Sequence, residues 1–323
     1  MNELLTVKDL HVSIKSPQGK VEAVRGVNLE LRPGEVLAIV GESGCGKSTV
    51  AHNIMRLSID HNEILSGKIM FEDRDLLSIS EAEMEKVRGK QIGMIFQNPL
   101  DSLNPVYRSG TQVAEALMID GMSRKEAMER TVELYREVHI PFPEQRVRAY
   151  PHELSGGMRQ RVMIAMMLAR TPKLLIADEP TTALDVTVEA QVLRIMKESC
   201  SKHDASVLLI THNFGVVAEI ADRIGIMYAG EIITHGMRLA YPLLFRHGFG
   251  AYTACIRAAV AEAALRLLFC YARPARTGLA PIHKRSVLPR SLCVPSYTRT
   301  LGIAAVQTGQ SPRRFDYRYY MRR

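Results

Sequence analysis

The chain has 323 residues, 46% of them hydrophobic, with 42 Lys and Arg, 34 Asp and Glu and a formal net charge of +8. That length holds one large α/β domain with extensions. No apolar run reaches the ~20 residues of a bilayer-spanning helix, and Met1-Asn2-Glu3-Leu4-Leu5 lacks the basic start and long apolar core of a secretory leader.

Five cysteines, an odd number without Cys-x-x-Cys spacing, agree with a reducing compartment. Charge is distributed unevenly. Residues 237–323 hold 15 Lys and Arg, 14 of them Arg, against the two acids Glu262 and Asp316, for a net +13. The preceding body carries 27 bases and 32 acids, a net −5, so the basic balance belongs to the tail.

In chain order, residues 4–40 alternate as strands, with Ser16-Pro17-Gln18-Gly19 predicted as a hairpin turn. Apolar Glu35-Val36-Leu37-Ala38-Ile39-Val40 reads as a buried strand. It runs into Gly41-Glu42-Ser43-Gly44-Cys45-Gly46-Lys47-Ser48 and then into a helix from Thr49 through Met55. This is the G-x-x-x-x-G-K-[ST] pattern of a phosphate cradle. Its glycines permit positive φ and close approach of backbone N–H groups to an anion, while the Lys47 ammonium and Ser48 hydroxyl serve phosphates and Mg²⁺.

Ile92-Gly93-Met94-Ile95-Phe96 reads as a further strand, ending at Gln97. From about residue 103 to 158 helical periodicity dominates, as in Val113-Ala114-Glu115-Ala116-Leu117 and in Arg124 through Leu134. Leu154-Ser155-Gly156-Gly157-Met158 opens a helix through Ala165, placing a hydroxyl and unpaired N–H groups at its positive end. The strand Lys173-Leu174-Leu175-Ile176-Ala177 ends in Asp178-Glu179-Pro180, and two carboxylates beside an apolar core call for a cationic partner. Ser206-Val207-Leu208-Leu209-Ile210 forms a last core strand before His212. Beyond Gly236, Ala251 to Tyr271 suits an amphipathic helix, and after Arg273 frequent Pro, Ser and Arg argue against a packed core.

Taken together, the cradle and Leu154-Ser155-Gly156-Gly157-Met158-Arg159-Gln160 resemble the ATP-binding cassette (ABC) ATPases from about Leu4 to Gly236. The resemblance implies an α/β fold: a P-loop NTPase core with a parallel sheet, an N-terminal antiparallel β subdomain, and a helical subdomain at about 103–158 bearing the signature. It implies that Gly41 through Thr49 bind ATP and that Asp178, Ser48 and Gln97 serve Mg²⁺. Glu179 would polarise the attacking water, Gln97 would sense metal and water, and His212 would contact the γ-phosphate. Asp185, in the D-loop Thr182-Ala183-Leu184-Asp185, would cross to a second ATPase subunit whose ATP the signature caps.

Phe96 through Pro105 and Met227-Tyr228-Ala229-Gly230-Glu231-Ile232 are phrased as in the peptide and nickel importer branch. That implies membrane-embedded permease subunits as partners, an extracytoplasmic substrate-binding protein acting indirectly, a peripheral place on the cytoplasmic face of the membrane, and no nucleic-acid partner. Two alternatives stand beside this reading: a soluble ABC ATPase of DNA repair or translation, and a catalytically impaired relic.

Departures from the branch are specific. Ile14 stands where many members place an aromatic residue against adenine, a stacking contact of roughly 1–3 kcal/mol. Asn213 follows His212 in place of Asp. Cys45 replaces a common Ser and reads either as a reactive thiol or as a small inert loop residue. The tail 237–323 lacks the branch's His-Pro-Tyr segment and Cys-rich stretch. It reads as an out-of-frame or otherwise non-homologous segment, as a basic arm for acidic lipid or nucleic acid, or as a solvated extension.

Overall fold

In the computed structural model the described residues are 3–16, 19–57, 62–97, 102–182, 184–213, 215, 217 and 220–237. The expectations for the segment beyond Met237 lie outside them. Strands β1 (Leu5–Ser16) and β2 (Gly19–Leu31) form the expected antiparallel hairpin, Ser16 pairing with Gly19. With β4 (Asn62–Phe71) and β5 (Arg74–Asp75) they make a four-stranded sheet in the order β2-β1-β4-β5.

The second sheet has six strands. They are β3 (Val36–Val40), β6 (Ile92–Ile95), β7 (Leu174–Asp178), β8 (Ser206–Thr211), β9 (Arg223–Tyr228) and β10 (Glu231–Met237), in the order β10-β9-β3-β8-β7-β6. Pairing is parallel throughout except for the edge strand β10, antiparallel to β9.

Side chains of this parallel sheet alternate between two cores, as a strand's two-residue period requires when both faces are covered. Leu37, Ile39, Leu174, Ile176, Leu208 and Ile210 point into a cluster shared with the antiparallel sheet and with helices α1 (Lys47–Ile54) and α2 (Glu81–Val87). Ala38, Val40, Leu175, Ala177, Val207 and Leu209 enter the other cluster.

That second cluster is covered by α3 (Ser109–Ile119), α4 (Arg124–Glu137), α6 (Gly156–Leu168) and α7 (Val186–Lys202), with the short α5 (Pro143–Arg146) beside α4. The first of these helices, α3, begins at Ser109. Helix α6 runs through the expected Ala165 to Leu168, because Val162, Met163, Ile164, Ala165 and Leu168 enter the cluster shared with the sheet. Ser80 with Glu83 and Ser123 with Glu126 form reciprocal caps that fix where α2 and α4 start. Among the described residues no helix is long and apolar enough to cross a membrane.

Candidate nucleotide site

The cradle sits between β3 and α1. Helix α1 starts at Lys47, two residues before the expected Thr49, with Gly46 as its N-cap at φ 107°. That φ and the nearby Ala23 carbonyl leave no room for a side chain at Gly46. At Gly41 a Cβ would fall against the Met227 carbonyl and 2.8 Å from Cys45 Sγ. The loop is therefore closed over from β2 and β9, and its glycines keep space next to the backbone.

Lys47 is only 4% exposed, and its Nζ donates to the carbonyls of Gly41 at 2.9 Å and Glu42 at 2.8 Å. Cys45 is buried in the apolar cluster with Sγ 3.8 Å from that ammonium, a placement that suits a small packing residue.

Asp178 lies at the end of β7, 1% exposed, and Oδ1 accepts from the Ser48 hydroxyl at 2.9 Å. Burial pushes its carboxyl above the usual range, against the opposing pull of the Ser48 bond and His52. A buried carboxylate joined to a serine hydroxyl, with no lysine or arginine bonded to it among the described residues, is an oxygen pair that fits a hard divalent cation.

Glu179 follows with φ 44°, and its N–H donates to the Ile210 carbonyl at 2.8 Å. Non-glycine residues seldom occupy this left-handed region, and here the turn swings the carboxylate out of the strand end. Glu179 Oε2 accepts from Gln97 Nε2 at 3.0 Å, and Oε1 lies 3.4 Å from His212 Nδ1. Residues from the ends of β6, β7 and β8 thus converge, as ligands do beyond strand C-termini in open α/β sheets.

Ser155 caps α6, its hydroxyl accepting from the Met158 N–H at 3.3 Å. The N–H groups of Gly156 and Gly157 have no hydrogen-bond acceptor among the described residues. Both glycines face α7 and the turn before it: a Cβ on Gly156 would lie 3.1 Å from Leu184 Cδ2, and one on Gly157 2.8 Å from Val188 Cγ1. A groove lined by Ser155, Gly156, Gly157, Met158 and Asp185 opens here, with Leu154 buried behind it. Asp185 is the exposed N-cap of α7 and makes no side-chain capping bond. Among the described residues no hydrogen bond or ion pair joins 154–158 to 41–49.

Ile14 is half-buried on β1, opposite Val21 and Asn62, two residues along β2 from the Ala23 whose carbonyl abuts Gly46. The replacement at 213 finds a structural reason. Asn213 Nδ2 donates to Glu189 Oε2 at 2.8 Å, while Thr181 donates to Glu189 Oε1 at 2.8 Å. An Asp at 213 would set two carboxylates against each other. His52, to which the sequence assigns no role, also reaches the site, its Nε2 4.0 Å from Asp178 Oδ2, and Thr182 of the D-loop donates through Oγ1 to the Glu179 carbonyl at 2.9 Å. His52 carries no motif signal, because it acts through a contact across the fold.

The chain matches the ABC transporter family profile over residues 24–182. It is 55% identical over 238 residues to the oligopeptide transport ATP-binding protein OppD of Bacillus subtilis (strain 168), covering 73% of this chain and 66% of that protein. It is 49% identical over 240 residues to the dipeptide transport ATP-binding protein DppD of the same organism, covering 74% and 72%. The chain thus spans between 66% and 72% of the length of these relatives.

Among solved structures it resembles an ATP-binding cassette in a dimeric post-hydrolysis state bound to ADP and Pi, with TM-score 0.64 and 27% identity over 72% of this chain and 98% of that one. It also resembles cbiO1 of Clostridium perfringens, part of the cbiONQ ABC transporter complex, with TM-score 0.66 and 26% identity over 75% and 92%. The chain therefore belongs to the ABC transporter ATP-binding proteins, in the branch that contains the oligopeptide and dipeptide transport subunits.

Proposed function

We propose that this chain is the ATP-hydrolysing subunit of a peptide importer, working through ATP-dependent pairing of two such subunits on the cytoplasmic face of a membrane. The carrying observation is the convergence of Gln97, Glu179 and His212 beside an Asp178 bonded to the cradle's Ser48. Triphosphate entering the cradle draws Lys47 from the Gly41 and Glu42 carbonyls onto its own oxygens. Glu179, released from Gln97, polarises water for attack on the γ-phosphate, and His212 steadies the charge that develops there. Asp178, Ser48 and Gln97 are the residues that would hold Mg²⁺, which when bound neutralises phosphate charge.

The signature supports a role in trans. Its N–H donors lie at a positive helix end without acceptors among the described residues, a ready place for an anion brought by another copy. Phe96, next to Gln97 in the chain, and Val106 and Tyr107 are exposed and suit a permease surface, which then feels the Gln97 segment move. The body 1–236 is the ATPase unit, and relatives' alignments of 238 and 240 residues support that extent. The tail 237–323, so different in charge, is an out-of-frame or unrelated extension; a family-like C-terminus in another reading frame of the gene is the outcome expected.

The decisive experiment is Glu179→Gln. ATP binding persists, hydrolysis falls by about 10²-fold or more, and ATP produces a stable dimer on gel filtration. Normal phosphate release by that variant overturns the reading.

A further inference from the structure

His52 lies on α1, five residues past the cradle lysine, and its ring touches two parts of the site at once. Nε2 is 4.0 Å from Asp178 Oδ2, the carboxylate oxygen that Ser48 does not take. The ring stacks on Phe96 with centroids 6.2 Å apart and planes inclined by 25°, within the range where aromatic pairs attract. Phe96 immediately precedes Gln97, whose amide donates to Glu179. Nδ1 is buried and has no hydrogen-bond partner among the described residues.

These contacts choose a tautomer. A proton on Nδ1 would be a buried donor with no acceptor, whereas on Nε2 it faces a carboxylate oxygen, so the neutral ring carries it on Nε2. Ser48 donates to one oxygen of Asp178, and the His52 Nε2 faces the other at 4.0 Å, a range at which it acts by electrostatic orientation rather than by a hydrogen bond. Phe96 in turn sets the plane of the imidazole.

We propose that His52 is a positioning residue: it orients the Asp178 carboxylate for a divalent cation and ties that carboxylate through Phe96 to the Gln97 segment. This rests on the reading of Asp178 as a holder of Mg²⁺. Partners one step behind a metal ligand commonly set affinity by fixing the ligand's orientation. Here His52 also stacks on Phe96, the residue before Gln97, so a displacement of that segment reaches the metal-side carboxylate through one rigid ring.

The test uses the full chain carrying Glu179→Gln, loaded with ATP, with Mn²⁺ as the probe and free Mn²⁺ read by electron paramagnetic resonance. His52→Phe keeps a stacking ring and removes the donor; it weakens Mn²⁺ binding about three- to tenfold, less than loss of a partner hydrogen-bonded directly to the carboxylate because the contact is long. His52→Gln, which keeps a donor, restores most of that loss. Phe96→Ala weakens Mn²⁺ binding about two- to threefold when His52 is present and has no effect beside His52→Phe, a non-additivity that simple loss of packing does not give.

Asp178→Asn serves as the reference. If it abolishes Mn²⁺ binding while His52→Phe binds as tightly as the parent, the role of His52 is overturned and the metal reading stands. If Asp178→Asn binds Mn²⁺ unchanged, the metal reading itself fails.

Discussion

The cradle side of the molecule and the signature side differ in what their polar groups already hold. Around the cradle, Lys47 is bonded to two backbone carbonyls, Ser48 to Asp178 and Gln97 to Glu179. At the start of α6 only Ser155 is engaged, in a local cap, and the N–H groups of Gly156 and Gly157 are left without acceptors among the described residues. The cradle is thus stable without ligand because it supplies its own stand-ins, which nucleotide must displace. The signature has donors to spare among the described residues, and on the proposed reading an anion from another copy fills them. On that reading, one side decides whether ATP binds and the other whether a bound ATP closes an assembly.

Lys47→Ala attacks the first side hardest. It removes the one ammonium held over the loop and lowers ATP affinity about 10- to 100-fold, the range for hydrogen bonds to a charged group, as equilibrium binding of labelled ATP will show. Unchanged affinity would collapse the distinction between the two sides. Gly157→Ala attacks the second. The added methyl meets Val188 Cγ1 at 2.8 Å and shifts the start of α6, so single-chain ATP affinity stays put while the ATP concentration needed for dimerisation rises about tenfold, equivalent to ~1.4 kcal/mol. Light scattering against ATP reads this directly.

Ile14→Tyr sharpens the comparison from the adenine end. Regaining a stacking face improves ATP affinity about fivefold, the low end of such contacts, in the same binding assay and without changing closure.

The smallest effect concerns stability. Burial raises the Asp178 carboxyl, so folding opposes its ionisation. That penalty is full above the raised folded value, is present at neutral pH, and fades as pH falls through that value toward the ordinary carboxylate range. Asp178→Asn, which keeps an acceptor for Ser48, therefore raises the melting temperature of the metal-free chain at pH 7 by about 2–4 °C, and the gain shrinks in acid. Calorimetry at two pH values checks both parts; a destabilised variant at pH 7 would remove the buried-charge argument.

Much of the fold and site was legible in the residues. The β1–β2 hairpin follows from alternation on both sides of Ser16-Pro17-Gln18-Gly19, and the cradle from a strand, three glycines and Lys47 in an unbroken stretch. The last turn of α6 was not legible: the residues predict that helix through Ala165, and burial of Leu168 in the cluster shared with the sheet carries it on to Leu168. Nor was the purpose of Asn213, which depends on Glu189, 24 residues away. Cys45 left two readings open, and its burial beside Gly41 suits packing.

The sequence by itself determined what is local: strand alternation, helix caps such as Ser123 with Glu126, and the phosphate loop, since these depend on neighbours within a few residues. Only the tertiary structure decided which of the functional residues meet. Gln97, Glu179 and His212 come from β6, β7 and β8, and Ser48 reaches Asp178 because β3 lies two places from β7 in the sheet. Sheet order follows from burying two apolar faces at once, with helical crossovers between parallel strands, and that is a property of the whole packed chain rather than of any segment.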